Sequence, residues 1–124
     1  QGECQEFLKK DYRRDYNLDL SRFRGSAPPI SYKDGYLCLV HEVYHVSDSK
    51  ILYTHRFIHI GEDFHLKRIS KSFVFQTKGI EFCPGMTINN EELILTFGRE
   101  DKEAYFCRMK LEDLEKLFFY DLNP

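Results

Sequence analysis

The 124-residue sequence has no run approaching the ~18 apolar residues that a membrane helix needs, which argues against a helical span and against a membrane as partner. It also lacks a basic stripe. Its 18 Lys and Arg are scattered among 20 Asp and Glu, for a formal charge of −2, so the electrostatic footprint of a nucleic-acid reader is missing. No C-x-x-C pair occurs. The four cysteines, Cys4, Cys38, Cys83 and Cys107, lie far apart in or beside β-rich segments. Free thiols in a reducing cytoplasm are expected, with a structural disulfide as the alternative. G-x-S-x-G, G-x-G-x-x-G and P-loop patterns are absent, which removes the common hydrolase and nucleotide readings. Gln1-Gly2-Glu3-Cys4 has neither the charged nor the apolar region of a signal peptide, so a cytoplasmic location is expected.

What is present is material for one core. Hydrophobic residues make up 42% and aromatics 15%, with 8 Tyr and 11 Phe, which argues against disorder in a chain of 14.8 kDa. The length fits one domain.

From Ile30 onward the pattern is a meander of short strands, and an all-β, mainly antiparallel fold is predicted. Ile30 to Lys33 leads into Asp34-Gly35, a tight turn expected to place its positive φ angles on those two residues. The chain returns through Tyr36 to His45, turns at Val46 to Ser49, and runs as strands over Lys50 to Ile60 and Phe64 to Ile69. Such a set is one propeller blade or one sheet of a sandwich. A second set follows: Ile80 to Ile88, Glu92 to Gly98 and Glu103 to Lys110, separated by a turn at Asn89 to Glu91 and a loop at Arg99 to Lys102. Leu111, Leu114, Leu117 and Phe118 recur at helical spacing, so residues 111–119 are expected to form a short terminal helix. Leu37-Cys38-Leu39 superposes on Leu93-Ile94-Leu95 at an offset of 56 residues, which fits successive blades or a chance likeness of two alternating strands. The resulting expectation is a partial β-propeller of about two four-stranded blades, 30–69 and 70–110. Before it, residues 1–29 are expected to give a lone strand at Cys4 to Leu8 and an extended loop that Pro28-Pro29 keeps from being helical.

Five histidines stand on the strands. On period-two strands Leu37, Leu39, His41, Val43 and His45 share one face, and Ile51, Tyr53, His55, Phe57 and His59 another. A zinc site needs about four ligands in a tetrahedral array, and no compact Cys/His ligand pair is present. Histidines that cap aromatic rings or line a polar cleft are the better reading, and no metal or cofactor is expected. Glu42, Glu81 and Asp101 sit in or at the end of apolar strands, where an acid needs a partner or a ligand. Cys83 is expected to be a buried structural thiol. Arg22 and Arg24, flanking Phe23 before Gly25-Ser26, suit phosphate or sugar hydroxyls, or else pair with Asp15 and Asp19.

Two ordered motifs carry a family resemblance. Gly25-Ser26-Ala27-Pro28-Pro29-Ile30 with Asp34-Gly35-Tyr36-Leu37-Cys38-Leu39-Val40-His41 resembles the G-x-P-P-I … D-G-W-L-x-x-Y-H-G stretch of the mannoside phosphorylases and their relatives, glycoside hydrolase family 130. Ile80-Glu81-Phe82-Cys83-Pro84-Gly85-Met86 with Leu93 to Asp101 is similar to that family's V-x-F-P-x-G … L-x-V-Y-Y-G-A-A-D segment. A nearer likeness is to uncharacterised glycosidase-related domains that accompany bacterial glycosyltransferases. The resemblance covers Arg22 to Phe119. It implies a five-bladed propeller, a histidine at His41 that holds phosphate or sugar, and an acid near the substrate at Asp101. Glu42 departs from the family's glycine, and Tyr36 from its tryptophan.

In that family the catalytic aspartate and basic phosphate-binding residues lie upstream of these motifs. With Gln1 in place of an initiator methionine, the chain is expected to be the C-terminal part of a longer protein and inactive alone. The resemblance implies that Arg24, Ser26, His41, Glu42 and Asp101 form one wall of a glycan cleft, with a carbohydrate or sugar phosphate as partner. A non-catalytic recognition module and a plain β scaffold are the alternatives. Exposed blade edges are expected to favour homo-oligomers.

Overall fold

The computed structural model describes residues 20–121. The expected Cys4 to Leu8 strand, and Asp15 and Asp19 as arginine partners, lie outside the described residues. A 3-10 turn at Leu20–Arg22 leads into β1 (Phe23–Gly25), β2 (Ile30–Tyr32), β3 (Gly35–Ser47), β4 (Lys50–Gly61) and β5 (Leu66–Ser70). Then come β6 (Glu81–Asn89), β7 (Glu92–Arg99), β8 (Glu103–Lys110), the helix α1 (Leu111–Leu117) and β9 (Phe118–Asp121).

Every strand pairing is antiparallel. One sheet runs β1-β3-β4-β5-β9, with β2 joining the same edge of β3 as β1; the other runs β6-β7-β8. The two sets of strands foreseen from turn spacing are thus real sheets, of six and three strands rather than four each. Alternating β-branched, aromatic and polar residues over Lys50–Gly61 make β4 a strand that can bury one face while β3 pairs along its whole length.

The core lies between the sheets. Leu37, Leu39 and Phe57 from the first face Leu93, Leu95 and Phe97 from the second, with Leu114 of α1 closing one end. Each fully buried leucine here is worth roughly 2 kcal/mol by transfer. The other face of the first sheet gathers Ile58, Leu66 and Ile69.

Local details differ from the sequence reading. The β2–β3 turn is Lys33-Asp34, closed by Tyr32 opposite Gly35, and the positive φ falls on Lys33 (48°), not on Gly35. Gly35 is required for space instead: a Cβ there would stand 2.0 Å from the Ile60 carbonyl oxygen. Phe64 has φ 63° and belongs to the turn before β5, which starts at Leu66. The β6–β7 turn is a two-residue turn with both central residues, Asn90 and Glu91, at positive φ (50° and 63°). The helix ends at Leu117. Phe118 adopts extended backbone and begins β9, which returns to pair with β5. Helical spacing of Leu114, Leu117 and Phe118 concealed that strand, because pairing with β5 is a long-range event.

Among the described residues no helix is long and apolar enough to cross a membrane.

Candidate functional site

The β1 strand lies against the middle of β3, placing Arg24 opposite His41 and Gly25 opposite Val40. The Ser26 amide then donates to the Leu39 carbonyl, and its hydroxyl reaches the His41 ring, with Oγ 2.8 Å from Nδ1. The ring is stacked on Tyr53 (centroids 4.9 Å, planes 12° apart) and meets Phe82 of the second sheet edge-on (5.8 Å, 88°). Burial holds the His41 pKa below its ordinary value, and the Arg24 charge lowers it further. A neutral imidazole results at pH 7, able to donate or accept according to its tautomer.

Arg24 is exposed and donates to the Ser21 and Phe23 carbonyls at 2.7 and 3.0 Å. It lines a groove of about 460 Å³ with Ser21, Arg22, Val43 and His45, the last two on the His41 face of β3. Phe82 is 40% exposed beside His41. Aromatic faces next to charged and neutral hydrogen-bonding groups are the ingredients of a polar-ligand cleft.

The structure therefore joins Ser26 and His41 and puts Arg24 next to them. Glu42 is on the opposite face of β3, as the period of two demands. Both of its oxygens are engaged: Arg56 Nε donates to Oε1 and the Tyr44 hydroxyl to Oε2, each at 2.7 Å. Asp101 is exposed in the β7–β8 turn at φ 55°, with no hydrogen bond or ion pair to the other four residues.

Two further polar clusters were not foreseen as sites. Glu81 is fully buried and accepts three backbone N–H bonds, from Phe75, Gln76 and Thr77, at 2.8–3.0 Å. His55, also fully buried, faces it from between Phe73 and Phe75. Glu115 of α1 accepts two bonds from Arg68 (2.7 and 3.1 Å), one from Lys33 (3.0 Å) and one from the Tyr32 hydroxyl. These donors outweigh its partial burial and hold its pKa down at about 2. Arg68 also donates to His59 Nδ1 at 3.1 Å. A groove of about 650 Å³ opens beside this cluster, among Lys33, Asp34, Asp63, Lys67 and Arg68. Of its lining residues, Lys33 and Arg68 are bonded to Glu115, and Asp63 lies 3.4 Å from the His65 ring and near Lys67. We read it as the tie that docks α1 on the first sheet.

No protein-family model, curated protein or solved structure matches this chain. The family likeness rests on the two motifs alone.

Among the described residues no three His, Cys, Asp or Glu side chains converge as metal ligands. Burial pushes the Cys83 thiol up to about 11, so it is not a thiolate at pH 7. Cys83 and Cys107 carry free thiols.

Proposed function

We propose that this chain is the carbohydrate-contacting part of a larger protein related to the mannoside phosphorylases, two blades of a propeller that supply one wall of a glycan cleft. The observation that carries the proposal is the Ser26–His41 hydrogen bond, set on Tyr53 and edged by the exposed Phe82, with Arg24 at the rim. It brings the histidine of the first motif together with the phenylalanine of the second, so two motifs far apart in sequence meet at one place. A ring face for the apolar side of a sugar, an imidazole for one hydroxyl and a guanidinium for a phosphate or a pair of hydroxyls suit a sugar or sugar phosphate.

Recognition without catalysis is the version that Glu42 favours. A general acid or base must present an oxygen to the substrate, and both Glu42 oxygens are held by Arg56 and Tyr44 on the far face of β3. Asp101 stands exposed at a turn, apart from the Ser26–His41 pair.

Titration calorimetry of the chain and of His41→Ala with mannose, N-acetylglucosamine, mannose 1-phosphate and inorganic phosphate tests the proposal. Saturable binding of at least one sugar ligand, lost in the variant, is expected. Binding of none by the folded chain contradicts a preformed glycan wall.

A further inference from the structure

The two edges of the second sheet are unlike. β6 carries a register shift between Phe82 and Gly85 with Pro84 inside it, and a bulge with a proline is a standard way to blunt an edge against pairing. β8 has neither device. It pairs with β7 in unbroken register from Glu92 opposite Lys110 to Arg99 opposite Glu103. Among the described residues no strand lies on its other side.

The outward face of this edge is apolar at its centre. Ala104, Phe106 and Arg108 are all exposed, and Phe106, at 79%, is the most exposed large apolar side chain among the described residues. It neighbours only Thr96 across the ladder. An eight-residue edge strand with neither bulge nor proline, and with a phenylalanine standing out of it, is a template for another strand.

The charges along β8 say which strand. Its start is net negative, with Glu100, Asp101 and Glu103 around Lys102, and its end positive, with Arg108 and Lys110. Glu103 and Arg108 are paired with Arg99 and Glu92 of β7, and both stand along the exposed edge of the sheet. A second β8 laid antiparallel sets the acidic start of each copy against the basic end of the other, whereas parallel pairing opposes like charges. We propose that two copies of this chain associate through β8, antiparallel about a two-fold axis near Phe106 and Cys107, merging two three-stranded sheets into one. A two-fold normal to the sheet keeps like faces together, so the two Phe106 rings lie directly or diagonally opposite, both within aromatic reach. The contact is closed. Pairing of β8 with β6 of the next copy would propagate a filament, and the Pro84 bulge opposes it.

Sedimentation of the full chain over a range of concentrations tests this, alongside Phe106→Glu and, as a control, Phe64→Glu in the turn before β5. Both side chains are exposed (79% and 64%), so circular dichroism is expected to show both variants folded. The wild type and Phe64→Glu should sediment as dimers at high micromolar concentration. Phe106→Glu should weaken association by about tenfold or more. A monomeric wild type, a ladder of larger species, or equal association in both variants overturns the proposal.

Discussion

His55 Nε2 stands 3.5 Å from Glu81 Oε1, both side chains are fully buried, and neither ring nitrogen of His55 has a hydrogen-bond partner. The carboxylate is satisfied by three amides of the segment between β5 and β6, so Glu81 ties that segment over the histidine. Burial disfavours the charged imidazole more than Glu81 favours it, and the His55 pKa falls to about 4.

Acid should therefore unfold the protein earlier than carboxylate chemistry alone would. His41, His55 and His59 all have pKa values lowered chiefly by burial. Each binds fewer protons folded than unfolded, so its contribution is lost as pH falls below the ordinary histidine value of about 6.5, and for His55 the loss continues to about 4. Below about 4.5, protonation of Glu115 adds to the loss, because its folded pKa is about 2. Urea unfolding at several pH values should show stability falling from about pH 6.5 downward, with a shallower slope for His55→Gln. Constant stability from about pH 7 to about pH 5 would contradict this.

Gly35→Ala should destabilise the fold by about 2 kcal/mol or more, since the new methyl meets the Ile60 backbone, which cannot give way cheaply. Denaturant midpoints measure it. The effect is steric, because Gly35 does not occupy the left-handed region.

Glu91→Gly should act the other way. Glu91 holds φ 63° at the second position of the β6–β7 turn, where Asn-Gly is the preferred pair, and relief of that conformation should add about 1 kcal/mol. A rise in melting temperature checks it.

Arg68→Ala should loosen α1. It removes two bonds to Glu115 and two to His59 Nδ1, and leaves a partly buried carboxylate with only Lys33 and Tyr32. A loss of about 2 kcal/mol, with faster amide exchange in Leu111–Leu117, is expected.

The meander was legible because its signals are local: alternation along β3 and β4, and short turns at Lys33-Asp34 and Asn90-Glu91. The need of Glu42 and Glu81 for partners was also visible, as acids inside apolar strands. Their partners were not, because Arg56 reaches Glu42 only across the β3–β4 ladder, and the amides of residues 75–77 reach Glu81 through an irregular loop that no periodic pattern signals. Period two already separates His41 from Glu42, and applying it would have divided the expected wall. Phe82 stood in the second motif and Tyr53 on the same strand face as His55, but neither pattern indicated that they flank His41.

The most direct test of a glycan wall at His41 follows its ring. Imidazole carbon and proton resonances of all five histidines, assigned through single substitutions, would be recorded while mannose or mannose 1-phosphate is added. Saturable shifts are expected at His41, absent or reduced in Ser26→Ala, with His59 and His65 unmoved. Shifts confined to His59 and His65 would place the ligand at the opposite end of the sheet and contradict it, as would no shift at any histidine.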